Sequence, residues 1–128
     1  MIVDSSALIA ILVEEPGYGE PWSKLRDAPS AGIGTPTLAQ TGIVLTSRLG
    51  VAGRTLLSRA VDELGLVPVP FGAEHWPVAL DAYRRFGRGR HPAALNFGDC
   101  LTYAVARVAG EPLLCLGDDF AKTDLELA

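Results

Sequence analysis

The chain has 128 residues, 48% of them hydrophobic and 20% charged, with a formal net charge of −4. That length suits one domain, residues 1–128, and that composition excludes an intrinsically disordered chain. The negative balance argues against broad, charge-driven nucleic-acid binding, and no apolar run approaches the ~18 residues that a membrane span requires.

In chain order, Met1–Val3 reads as a short buried strand that ends at Asp4. Ser5 and Ser6 are good caps for a helix through Leu12, which Glu14–Gly17 breaks. A shorter helix is expected around Glu20–Arg26, ending near Pro29, then a brief strand at Ala31–Ile33. Thr35 and Pro36 open a helix that runs to about Leu49 and stops at Gly50. Gly53 to Leu64 is another, stopped by Gly65, and Leu66–Val69 is a strand before Pro70. Ala73 to about Arg85 is helical, with Pro77 tolerated only in a first turn. Phe86–Pro92 is a loop rich in Gly and Arg. Phe97–Val108 carries Phe97, Cys100, Leu101, Ala104, Val105 and Val108 at helical spacing, as one apolar stripe. Pro112–Leu116 is the last buried strand, and a polar tail, Gly117–Ala128, follows. Short apolar strands alternating with helices indicate an α/β fold, a three-layer α/β/α arrangement around a short central parallel sheet. Ligands in such folds bind beyond the carboxyl ends of the strands.

Acidic residues fall at those places. Asp4 follows the first strand, Asp118 and Asp119 follow the last, and Asp99 lies in the first turn of the preceding helix. Each has a local explanation: Asp4 can cap a helix, Asn96 and Asp99 can cap another reciprocally, and Asp118, Asp119 and Asp124 can belong to a polar turn. Gln40 shares a helix side with Ile43 and Val44, so it is expected to need a polar partner. Together the set suggests more. Converging carboxylates repel one another, and a divalent cation relieves that repulsion. Oxygen ligands select hard ions, Mg²⁺ or Mn²⁺, and such an ion can activate water against a phosphodiester.

At these residues the chain resembles the PIN-domain family, and within it the VapC toxins of toxin–antitoxin pairs. MIVDSSALIA resembles the family's opening, which delivers a first metal-binding aspartate, here Asp4, supported by a small hydroxyl residue, here Ser6. RRFGRGRHPAALNFGDC and EPLLCLGDDFAKTD are similar to runs of one VapC subgroup. They place further acids at Asp99 and Asp119, with Asn96, Asp118 and Asp124 as supporting neighbours. The resemblance implies an endoribonuclease acting on structured RNA such as tRNA or rRNA. It also implies Mg²⁺ or Mn²⁺, a homodimer and a VapB-type antitoxin. One position departs from the pattern: the family's second acid is a glutamate, and Gln40 stands there. Its amide oxygen can ligate a hard cation but brings no charge. Either the natural protein has lost that acid or a substitution silences a toxic nuclease. The alternative to an active nuclease is a catalytically silent PIN-like module that binds antitoxin or RNA.

Arg84, Arg85, Arg88 and Arg90 give the stretch 81–91, which holds one aspartate, a local charge of +3 with His91 neutral. They are the candidate phosphate grip for RNA, or a solvated loop. Trp22 and Trp76 are expected in the core, with a dimer or antitoxin contact as the second reading, and neither His75 nor His91 is expected to bind metal. Cys100 and Cys115 read as free thiols of a reducing, cytoplasmic setting. No Gly-rich phosphate loop follows the first strand, and Ser6 stands where an aspartyl-nucleophile phosphatase would carry a second aspartate.

Overall fold

A computed structural model describes residues 1–128. Four parallel strands, β1 (Ile2–Val3), β2 (Ala31–Gly34), β3 (Leu66–Val69) and β4 (Leu113–Leu114), form a sheet in the order β3-β2-β1-β4. Six helices connect them: α1 (Ser5–Leu12), α2 (Gly19–Asp27), α3 (Thr35–Leu49), α4 (Val51–Glu63), α5 (Trp76–Phe86) and α6 (Phe97–Ala109). A 3₁₀ turn, Phe120–Lys122, follows β4. No helix is long and apolar enough to cross a membrane.

The two-residue period of the strands sorts their side chains between two cores. Ile2 and Leu113 point into one, with Ala82, Phe86, Tyr103 and Val105 of α5 and α6. Val3 and Leu114 point into the other, with Ala7, Leu8, Leu25 and Ile33. The sheet is therefore the middle layer of three. Ile2 is in register with both Gly32 and Leu113, so β1 lies between β2 and β4. From β1 the chain winds outward through β2 to β3, then crosses back to place β4 on the other side of β1. This reversal opens the crevice beyond the carboxyl ends of β1 and β4.

Several sequence expectations give way to packing. Helix α5 begins at Trp76 rather than Ala73, which places Pro77 in its first turn. Trp76 is 57% exposed and not a core residue, whereas Trp22 is half-buried. The α6 stripe ends early: Phe97 is 80% exposed, while Thr102, Tyr103 and Ala106 outside the stripe are buried. The central part of α6 is enclosed by the sheet, α3 and α5, so it is buried on most sides. On α3 the buried seam is Thr37, Thr41 and Leu45; Ile43 points to solvent and does not flank a buried Gln40. The tail is not merely polar. Phe120 is buried, and Leu127 pairs alongside Leu113 at the outer edge of β4.

Candidate metal centre

Asp4 is placed by β1 and held by α1. Its backbone N–H donates to the Leu114 carbonyl at 2.9 Å, which joins it to β4. Its Oδ2 accepts from the Ser6 N–H at 3.1 Å and from the Ser6 hydroxyl at 2.6 Å. The Ser6 oxygen in turn accepts the Leu116 N–H at 3.0 Å. Ser6 thus ties the first acid to the strand end that leads into Asp119. The cap and the site are one arrangement, because Oδ2 caps α1 while Oδ1 accepts no hydrogen bond from the protein. Asp4 is nevertheless 4% exposed and has no ion-pair partner.

Asp99 and Asn96 form a full capping box. The Asn96 side chain accepts the Asp99 N–H at 2.9 Å, and Asp99 Oδ2 accepts the Asn96 N–H at 3.0 Å. Partial burial raises the Asp99 pKa; the Asn96 N–H opposes this, and the negative charges of Asp4 and Asp119 raise it further, with Arg88 lowering it. Asp4 and Asp119 therefore both lie near enough to act on the Asp99 carboxyl. Cys115 reports the same convergence: burial, then Asp4, with Asp119 and Asp99, pushes its thiol up to about 11, so it is not a nucleophile at neutral pH.

Gln40 lies against the first turn of α6, where α3 and α6 come close. A Cβ on Gly98, the residue before Asp99, would lie 2.8 Å from Gln40 Oε1 and 2.9 Å from Nε2, so any larger residue there would displace the carboxamide from its present position. Further along the same contact, Thr37 and Thr102 share a buried hydrogen bond of 3.1 Å, and Gly34 faces Val105. Gly98 and the threonine pair were not singled out in the sequence. A glycine in the first turn of α6, directly before Asp99, was the available signal.

Two expected neighbours lie elsewhere. Asp124 accepts from Tyr103 at 2.6 Å and is paired with Arg107 and with Arg85 at 3.1 Å, so it does not support the acid group directly. Asp118 is exposed and lines a cleft with Glu20 and Lys24 of α2. The arginines also divide. Arg84 pairs with Asp81 at 2.7 Å, and Arg85 bonds Asp124 and lies over the Phe86 ring. Arg90 lies over Tyr83. Arg88 is exposed, makes no ion pair and acts on Asp99. His75 is buried, with its Nδ1 accepting the Gly72 N–H.

The donor set fits a hard divalent cation. It comprises three carboxylates and an amide oxygen, all hard donors, and no ion pair neutralises the carboxylates. The set is open rather than a finished cage, since no three His, Cys, Asp or Glu side chains already converge at ligand distance. A cation would draw the acids together and offset their repulsion.

The PIN domain family model matches residues 1–126. This chain belongs to the PIN-domain family. Ribonuclease VapC36 of Mycobacterium tuberculosis is 46% identical over 127 residues, covering 98% of this chain and 91% of that protein. Ribonuclease VapC of Mycolicibacterium smegmatis is 40% identical over 125 residues, covering 98% and 97%. Both place the chain in the VapC branch of the PIN domains. The crystal structure of M. tuberculosis VapC20, described as a Sarcin-Ricin loop cleaving toxin, superposes with a TM-score of 0.79 over 99% of this chain and 97% of that one. Its sequence is 17% identical, and the likeness is one of fold.

The raised Asp99 pKa gives a signed expectation for this PIN domain without metal. Below the ordinary carboxylate value of 3.8 Asp99 is protonated whether folded or unfolded. As pH rises from there through the higher folded value, the folded state holds the extra proton and loses stability relative to the unfolded chain. Asp99→Asn keeps an acceptor for the Asn96 N–H but has no charge. Its stability relative to the unaltered protein should therefore rise between pH 4 and pH 7. Denaturant titrations at the two pH values, with chelator present, check this; a difference that is flat or falls refutes it.

Proposed function

We propose that this PIN domain is a Mg²⁺- or Mn²⁺-dependent endoribonuclease of the VapC type that acts on structured RNA such as tRNA or rRNA. The observation that carries the reading is the convergence of acids from three separate parts of the chain: Ser6 ties Asp4 to the Leu116 N–H at the strand end that leads into Asp119, Asp4 and Asp119 both act on Asp99, and none of the three has an ion-pair partner. The ribonuclease names of relatives at 40–46% identity support the reaction type. Asp4, Asp99 and Asp119 would hold the metal, with the Gln40 amide oxygen as a neutral fourth donor. When bound, the ion supplies a Lewis acid and lowers the pKa of a coordinated water. The chain's own residues set the rest. Ser6 fixes the orientation of Asp4, the Asn96 capping box fixes Asp99, and Gly98 gives side chain 40 room at the first turn of α6, next to Asp99 in sequence.

Arg88 is the best placed of the four arginines to hold a phosphate over the acids, because it is exposed, unpaired and close enough to influence Asp99. Arg84 and Arg85 already have carboxylate partners, so the grip is narrower than the RRFGRGR run suggests. The reading is tested by RNA cleavage with Mn²⁺ and with chelator, for the unaltered protein, Arg88→Ala and Arg84→Ala. Cleavage should require the metal. Arg88→Ala should weaken RNA binding and reduce the salt slope by about one, with Arg84→Ala nearer the unaltered protein. Metal-independent cleavage would refute the proposal, and equal salt slopes would remove Arg88 from it.

The proposal extends to a VapB-type antitoxin and to a second copy of the chain as partners. Two apolar surfaces support it. One is a groove of about 720 Å³ between α1–α2 and α4, lined by Ile11, Tyr18, Trp22, Leu56 and Leu64 among others. The other is a hollow of about 470 Å³ walled entirely by hydrophobic residues, including the exposed Trp76, Leu80 and Phe97. Exposed apolar surface of this kind marks protein contact sites.

A further inference from the structure

Helix α6 carries three polar side chains at four-residue intervals, Asp99, Tyr103 and Arg107, and so on one face. The first is a proposed metal ligand. The other two meet Asp124 of the tail: the Tyr103 hydroxyl donates to Oδ1 at 2.6 Å, and Arg107 donates to Oδ2. Arg85 of α5 donates to the same Oδ2 at 3.1 Å. Tyr103 is 1% exposed, with its ring against Phe86, so the hydroxyl is presented from a rigid base.

The segment that meets this face is the one that carries Asp119. The Asp119 side chain makes no hydrogen bond or ion pair of its own, so its position depends on its backbone. That backbone is held at one end by β4 and at the other by Asp124, with buried Phe120 and the Thr123 hydroxyl bond to the Phe120 carbonyl between them. Asp99 and Asp119 are thus connected through a short loop of contacts: down α6 to Tyr103 and Arg107, across to Asp124, and back along five residues. Asp124 is neutralised by two arginines and adds no free charge to the acid group.

We propose that Asp124, gripped by Tyr103 and Arg107, is a latch that sets the position of Asp119 relative to Asp99, making these three positioning residues for the metal centre. The proposal rests on the metal-dependent reading above. It also has a part that does not. With the latch opened, residues 117–123 should move more freely, with or without metal.

The test uses the full chain, Tyr103→Phe and Asp124→Asn. Tyr103→Phe removes one hydroxyl and keeps the ring packed, so folding should be retained. Amide hydrogen exchange without metal should accelerate at 117–123 in both variants and stay unchanged in α1. Mn²⁺ affinity, measured by calorimetry, should fall about tenfold. The loss should not add to that of Asp119→Ala, since the latch acts only through Asp119. Unchanged exchange at 117–123 overturns the latch, whatever the metal result. Faster exchange with unchanged Mn²⁺ affinity, or a loss fully additive with Asp119→Ala, overturns its positioning role. If the unaltered chain binds no Mn²⁺, the metal reading fails and the positioning role fails with it; the exchange result then decides whether the tail is latched at all.

Discussion

Gln40→Glu is expected to raise Mn²⁺-dependent RNA cleavage on the order of 10²-fold in kcat/KM, through one added negative charge at an unchanged shape. Glutamate and glutamine share a skeleton, so the new carboxylate can occupy the space that Gly98 leaves at the first turn of α6. Without metal the substitution should cost stability. A fourth negative charge adds to the repulsion by which Asp4 and Asp119 already raise the Asp99 pKa. With metal the sign reverses, because the same charge strengthens cation binding. The decisive pattern is therefore crossed: a lower melting temperature than the unaltered protein in chelator, and a larger rise on adding Mn²⁺. A fluorescent structured RNA, titrated with Mn²⁺ beside melting curves, reads both halves. If the variant binds Mn²⁺ more tightly and still cleaves nothing, the chain is a non-catalytic PIN module and position 40 is not what silences it.

Asp4→Asn should abolish the response to metal while leaving the fold intact. Asparagine caps a helix as well as aspartate does, so the Ser6 N–H keeps its acceptor and metal-free stability should shift by about 1 kcal/mol or less. What disappears is the charge on the most buried of the three acids. For the unaltered protein, Mn²⁺ at a hundred times its Kd should stabilise the native state by about 2.7 kcal/mol. The variant should gain nothing at that concentration, and its RNA cleavage should fall to background. Denaturant midpoints with Mn²⁺ and with chelator measure the difference. A variant that retains the full Mn²⁺ stabilisation would reduce Asp4 to a helix cap and remove the centre of the proposed site.

Local chemistry made much of this molecule readable along the chain. Short apolar runs bounded by Gly and Pro mark β2 and β3, and Gly50 ends α3 where the chain must turn. Asp4 and Asp119 stand after the first and last strands, and Asn96 with Asp99 has the spacing of a capping box. These are short-range facts, set by side-chain period and by the orphan N–H groups at helix starts. Tertiary structure decided which of those residues meet. Periodicity shows that a helix has an apolar face but not how many neighbours will cover it, so α6 is enclosed well beyond its stripe. The run of arginines looked like one basic patch until Asp81 on the same helix paired with Arg84 and Asp124 of the tail claimed Arg85. Asp124, five residues after Asp119, was expected as a direct neighbour of the acids, but Tyr103 and Arg107 hold it. Gln40 and Gly98, 58 positions apart, are neighbours only because α3 and α6 cross closely. Charge pairing and helix crossing depend on distances through space, and a linear pattern carries no record of them.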